Sequence, residues 1–233
     1  MRDIQLIENI STVYKRISHA AMRAGRRPED IKLIAVTKTL SLQRITDAID
    51  AGLRVFGESR IQEALKKVTS NELQVTSSKI EWHLIGHLQK NKAKTAVELF
   101  DMIQSIDSIE LAKTIDRHAL EAGKVQHVLI QVKLSHEDSK HGILKGNFLT
   151  NIREIGKLKN LNLRGLMTIP PFSENPEDSR RYFRELRTLR DESRMPGYEL
   201  PELSMGMTND FEIAIEEGAT MVRIGTAIFG DRK

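Results

Sequence analysis

Short apolar runs alternate with amphipathic segments along the whole chain, and the spacing of hydrophobic positions changes from one kind to the other. Runs at 31–38, 55–59, 81–86, 102–107, 127–132, 163–169, 203–207 and 221–229 are short enough to be buried strands. Between them, apolar residues recur every three or four positions: Leu42, Ile45 and Ile49; Ile61, Leu65 and Val68; Ile109, Ala112, Ile115 and Ala119; Ile152, Ile155 and Leu158. That spacing places each set on one face of a helix. Gly52 and Gly218 stand where helices should end, and Asp107 with Glu110 has the spacing of a capping box. No fixed-period repeat, low-complexity tract or flexible linker interrupts the pattern, so residues 1–233 read as a single domain.

Eight strand–helix units in series predict a parallel sheet closed into an α/β barrel of the (β/α)8 TIM type. The rival is an open doubly wound sheet, but no Gly-rich nucleotide turn follows the first strand. The last apolar run is followed by too few residues for an eighth helix. The amphipathic stretch from Asp3 to about Ala24 is therefore expected as an extra N-terminal helix that covers the gap.

Composition narrows the function. The 36 Lys+Arg against 32 Asp+Glu leave a net charge of only +4, and aromatics at 5% offer few platforms for stacking bases. No nucleic-acid partner is expected. The absence of cysteine from the 233 residues removes disulfides, thiolate metal sites and cysteine nucleophiles. The opening MRDIQLIENI has no apolar signal core, and no run approaches the ~18 residues of a membrane helix. A cytoplasmic protein with no membrane contact is expected.

In such a barrel the chemistry belongs at the C-terminal ends of the strands, with phosphate often held after strands 7 and 8. Strand 7 ends in Ser204-Met205-Gly206-Met207-Thr208, and strand 8 runs through Arg223 into Gly225-Thr226. Glycines for close approach and hydroxyls on neighbouring strands suit a phosphate. Lys38 closes the first apolar run and should emerge at the same rim. A partly desolvated lysine near Arg223 would have a lowered pKa and could attack an aldehyde to form a Schiff base. A lysine imine beside a phosphate clamp suggests either a sugar-phosphate carbonyl compound or pyridoxal phosphate. Arg223, within an apolar strand, is either in a structural ion pair or a donor to a ligand.

Other groups are less specific. His83 and His87 flank Gly86 with no third ligand in view, so no metal is expected. The basic run Lys90, Lys92 and Lys94, and the arginines at 23, 26, 27, 180 and 181, read as solvated helix faces. Glu58, Arg60 and Glu63 suggest an ion-pair network at the second strand's exit, and Lys140 falls on the loop after the fifth.

The strings AVTKT (35–39), FGESRIQE (56–63), WHLIGHLQKNK (82–92), GLMTIPP (165–171) and LSMGMTNDFEIAIEEGATMVRIGTAIFG (203–230) resemble the pyridoxal phosphate homeostasis protein family. This is also the alanine racemase N-terminal-domain-like, or proline synthetase co-transcribed homologue, family. The likeness runs from about Ile31 to Gly230. It implies a single barrel like the first domain of alanine racemase, without that enzyme's C-terminal β domain. It further implies pyridoxal 5'-phosphate as cofactor, carried as an internal aldimine on Lys38. Arg223 matches the arginine facing the ring nitrogen, Ser204, Gly225 and Thr226 match positions that hold the phosphate, and Thr208 stands there in place of a common Ser. Lys140 matches a lysine implicated in cofactor transfer. Ser59 and Lys133 stand where the family usually has Asn, which puts contacts from those strands in doubt.

Racemization needs a base on each face of the bound substrate, and alanine racemase draws the second, a tyrosine, from its partner's β domain. None of Tyr14, Tyr182 and Tyr198 lies at a predicted strand exit. An arginine at the ring nitrogen also opposes its protonation and weakens the electron sink. The expected role is therefore to hold and buffer the cofactor and to pass it in transient contact to pyridoxal phosphate-dependent apo-enzymes. A monomer is expected, because the domain that builds the racemase dimer is not in this sequence. A low-activity amino-acid racemase is the alternative, and a Schiff-base aldolase-like barrel the third reading.

Overall fold

All eight apolar runs form strands, which pair in chain order until the last returns to the first. The computed structural model describes residues 3–70, 73, 80–135, 137, 141–193 and 199–230. The strands are β1 (Lys32–Val36), β2 (Val55–Glu58), β3 (Glu81–Leu84), β4 (Met102–Ile106), β5 (Gln126–Lys133), β7 (Leu161–Met167), β8 (Glu202–Ser204) and β9 (Met221–Ile224). Every pairing is parallel, and β1 lies between β2 and β9, which closes the ring. A two-residue strand, β6 (Ile143–Leu144), had no signal in the sequence and pairs with the end of β5.

Helices alternate with these strands: α2 (Leu42–Asp50), α3 (Ile61–Val68), α4 (Ala93–Leu99), α5 (Ile109–Glu121), α6 (Phe148–Gly156), α7 (Arg180–Glu192), α8 (Phe211–Glu216) and α9 (Thr226–Phe229). The period-2 alternation of the strands divides the core in two. Leu33, Ile103 and Val222 face outward into the large core beneath the helices. Ile34, Met102, Leu129, Met167 and Met221 face inward and form a small core inside the ring.

The N-terminal helix α1 (Ile4–Arg23) covers the expected gap, packing against α8 and α9. Leu6, Ile10, Val13, Ile17, Ala20 and Ala21 form its buried face, and the Asp3 side chain caps it by accepting from the Leu6 N–H. Arg16 and Arg23 pair with Glu212 and Glu216 of α8. Arg26 donates to the carbonyls of Ile215 and Ala219, and Arg180 joins Glu177, Glu216 and Glu217. These arginines therefore join elements of the fold, whereas Arg27 forms a local pair with Asp30.

Several local expectations change. The last strand stops at Ile224 and gives way to α9, because the chain turns at Gly225. The first strand ends at Val36, which leaves Lys38 on the following turn. Helix α5 is capped by Ser108, whose hydroxyl accepts from the Leu111 N–H, and not by Asp107. Leu65 is 43% exposed; α3 turns Ile61, Ala64 and Lys67 inward. Gly52 and Gly218 do follow their helices, each at φ 100°. Among the described residues no helix is long and apolar enough to cross a membrane.

Candidate functional site

The exits of β1, β8 and β9 and the loop after β7 surround a cavity of about 710 Å³, to which α1 adds Arg16. Lys38, Thr208, Arg223, Gly225 and Thr226 all line it, together with Val36, Phe172, Met207 and Asn209. A volume of this size suits a small cofactor. Five of the seven candidate residues thus meet in one place.

Lys38 stands on a turn closed by the Leu40 N–H donating to Thr37 O at 3.1 Å, and the next residue, Thr39, adopts φ 67°. A threonine in that region needs outside support. The support comes from Lys67, whose ammonium donates to Thr37 O (2.7 Å), Glu58 Oε1 (2.7 Å) and Glu63 Oε1 (2.6 Å). The Glu63 carboxylate in turn accepts from the Thr39 N–H, and the Thr37 hydroxyl donates to Glu58 at 2.6 Å. Both residues flanking Lys38 are therefore fastened to one ion-pair cluster. Burial pushes the Glu58 carboxyl above its ordinary range, against the pull of Lys67 and Thr37. Its Oε2 is buried with no hydrogen-bond partner among the described residues. The expected network of Glu58, Arg60 and Glu63 is real in its acids, but its cation is Lys67.

Arg223 is buried inside the ring, with no described carboxylate within 4.0 Å of it. Its Nη1 donates to Ser204 Oγ at 2.6 Å and its Nη2 to Thr168 O at 2.8 Å. The Ser204 hydroxyl donates to Gln104 Oε1 at 2.6 Å, which leaves the Gln104 amide nitrogen to donate to His83 Nδ1 at 2.9 Å. That order places the His83 proton on Nε2, which lies 3.5 Å from Glu81. A one-directional chain of hydrogen bonds thus crosses the barrel interior beneath the cavity. Burial lowers the Arg223 pKa to about 10, partly offset by Asp210, and it remains a cation at neutral pH.

The remaining wall is a pair of joined loops. After β8 the chain turns at Gly206, φ 90°, where a Cβ would stand 2.5 Å from the Ala214 Cβ and 2.8 Å from the Phe211 Cα. Asp210 then accepts from the Met207 N–H at 2.7 Å, and Thr208 Oγ1 accepts from the Ala227 N–H at 3.5 Å, tying this loop to α9. Ser204 lies below the cavity, its hydroxyl taken by Gln104 and Arg223. Ser59 and Lys133 are not in the lining, and Lys140 lies outside the described residues.

Sequence reasoning missed Arg16, Lys67 and Gln104. Lys67 carries no local mark, since it lies beside Lys66 on an outwardly ordinary helix. The histidines that flank Gly86 separate: His83 enters the interior chain, whereas His87 sits on the rim against Asp107 and His141.

A protein of Aquifex aeolicus named pyridoxal phosphate homeostasis protein is 46% identical over 227 residues, covering 97% of this chain and 98% of its own. The chain belongs to that family. Membership in the pyridoxal phosphate homeostasis protein family agrees with the match of residues 9–233 to the family model for the alanine racemase N-terminal domain. The solved structure of PipY from Synechococcus elongatus, with PLP bound, superposes with a TM-score of 0.85 at 37% identity. It covers 97% of this chain and 100% of that one. An alanine racemase of Clostridium difficile superposes with a TM-score of 0.74 at 15% identity. The match covers 98% of this chain but 57% of the racemase, so the two share the barrel fold.

Proposed function

We propose that this chain, as a single barrel domain spanning 1–233, binds pyridoxal 5'-phosphate on Lys38 and serves pyridoxal phosphate homeostasis in the cytoplasm without strong catalytic turnover. The observation that carries this reading is the meeting of a lysine, a buried arginine and a hydroxyl-bearing pair of loops on one cavity. When bound, the cofactor supplies an aldehyde that condenses reversibly with a lysine amine. Lys38 is the amine on a turn that its neighbours hold in place. Thr208, Gly225 and Thr226 form the phosphate-holding wall, with Arg16 as a further cation at the mouth. Ser204 acts through Arg223, as a positioning residue. Arg223, a donor at neutral pH, is the group that would meet the ring nitrogen and keep it unprotonated.

That last role limits carbanion chemistry without forbidding it, because an unprotonated ring is a poorer electron sink and alanine racemase works with an arginine there. The lining also holds no tyrosine among the described residues: Tyr14 and Tyr182 lie on α1 and α7 outside it. A monomer that buffers the reactive aldehyde and meets apo-enzymes transiently fits this chemistry.

The test begins with visible absorbance of wild type and Lys38→Ala, with and without added pyridoxal phosphate. A yellow band that borohydride fixes on Lys38, and that Lys38→Ala lacks, is the expected result. A wild type that takes up no cofactor would sink the proposal. Exchange of amino-acid α-protons in deuterated water at useful turnover would replace the carrier with the racemase.

A further inference from the structure

Across the ring from the cavity, the exits of β3, β4 and β5 bring together three side chains that the cofactor reading does not use. His87 follows β3, Asp107 follows β4, and His141 stands just before β6, which is paired to the end of β5. His87 Nδ1 lies 3.1 Å from Asp107 Oδ2, and His141 Nδ1 lies 4.0 Å from the same oxygen. One ligand atom from each residue falls within 4.8 Å of the others. The imidazole rings stack with centroids 3.6 Å apart and planes 12° apart. Two imidazoles turned toward one carboxylate oxygen bring like charges together whenever both are protonated. A divalent ion in place of the protons removes that conflict.

The distances suit such an ion. A tetrahedral centre with bonds of about 2.0–2.1 Å separates its donors by about 3.3 Å, and the two carboxylate–imidazole distances lie on either side of that value. The side chain of His141 is 54% exposed, which lets its ring rotate until both lone pairs meet one centre.

The supports of the three donors form a second, independent observation. Ser108 donates to Asp107 Oδ1 at 3.3 Å, which leaves Oδ2 directed at the imidazoles. Gln131 Nε2 donates to the His141 carbonyl at 2.9 Å, and the following Gly142 passes so close to β5 that a Cβ there would stand 2.7 Å from Lys133 N. Gly86, before His87, packs on Ser59, where a Cβ would lie 2.3 Å from the carbonyl oxygen. The backbone beneath the two histidines is thus fixed by close approaches that only glycine permits, while the imidazoles reach solvent.

We infer that His87, Asp107 and His141 form a binding site for one borderline divalent cation of the zinc type, with its remaining coordination position open to water. Two imidazole nitrogens and one carboxylate oxygen select such ions over magnesium or calcium, which take oxygen ligands. Three protein donors and an open position make an exchangeable site, in contrast to a closed four-ligand structural one. The inference does not depend on the cofactor assignment.

The experiment titrates cobalt(II), and zinc(II) in competition, into the full chain without an affinity tag and freed of cofactor, so that no aldehyde or phosphate competes for metal. Saturable uptake of one cobalt per chain, with visible bands of a low-coordinate ion and displacement by zinc, is expected. His87→Ala, Asp107→Asn and His141→Ala should each weaken uptake at least about tenfold. Uptake should weaken as pH falls, since an imidazole ligates only when unprotonated. In wild type, zinc should also protect His87 and His141 from diethyl pyrocarbonate, a readout that needs no variant to fold. Failure to take up cobalt overturns the inference, as does uptake undiminished in any one of the three folded variants or absence of zinc protection.

Discussion

Lys67 carries more of the site than its surroundings suggest. Its side chain is 5% exposed and that of Glu58 0%, and together they hold the turn that presents Lys38. Removing one member of such a pair leaves the other buried and uncompensated. Lys67→Met should therefore cost about 3–5 kcal/mol in urea unfolding at neutral pH. The loss should be smaller in mild acid. Burial raises the folded pKa of Glu58 above its unfolded value, so the folded state retains a proton that the unfolded chain gives up. Stability then falls as pH rises through that window, and adding Glu58→Gln should recover most of it. Glu81 has the opposite sign. The hydrogen bond from His83, followed by Lys32, holds its carboxyl at about 2 against an ordinary 4.5. Its contribution is fully present above about pH 4.5 and is lost as pH falls toward 2. Glu81→Gln should flatten that acid limb, as followed by circular dichroism. A limb unchanged in shape would mean that other carboxylates govern it.

At the scale of elements, the loop from β8 to α8 does two jobs. Gly206 lets it pass against Phe211 and Ala214, and that passage sets Thr208 on the cavity wall. Gly206→Ala adds a Cβ to a left-handed position with no space for it. The substitution should cost about 1–3 kcal/mol and weaken pyridoxal phosphate binding about tenfold, read by urea midpoint and cofactor titration. Destabilisation with unchanged affinity would separate the loop from the site. The elements themselves were legible in the sequence, because each strand buries both faces and each helix one stripe, and both patterns are local. Boundaries were less so: Gly225 ended the last strand, and Ser108 took the cap from its neighbour Asp107. As lining of the cavity, Lys38, Thr208, Gly225 and Thr226 were legible because they follow strand ends, and Arg223 because a charge within an apolar strand calls for a partner. Lys67 and Gln104 were not, since their meaning depends on partners from other strands. Ser204 was placed on the right strand, but its inward orientation put it beneath the cavity. His87, Asp107 and His141 come from three strand exits whose side chains no spacing rule brings together.

For the whole molecule, closure is the central fact. Helix α1 stands where a last helix would otherwise complete the shell, and it supplies six buried apolar residues together with the ion pairs to α8. A chain shortened by residues 1–24 should expose that face of α8 and α9, bind a hydrophobic dye and aggregate. A soluble, two-state truncated protein would show that the ring closes without it. The seam between β9 and β1 joins the two ends of the ring. Lys38 follows the first strand, whereas Arg223 lies in the last and Gly225 and Thr226 come just after it. The cavity therefore straddles the seam, and no fragment that lacks either strand can assemble it. Parting β1 from β9 would open the barrel and dismantle the cavity in one event.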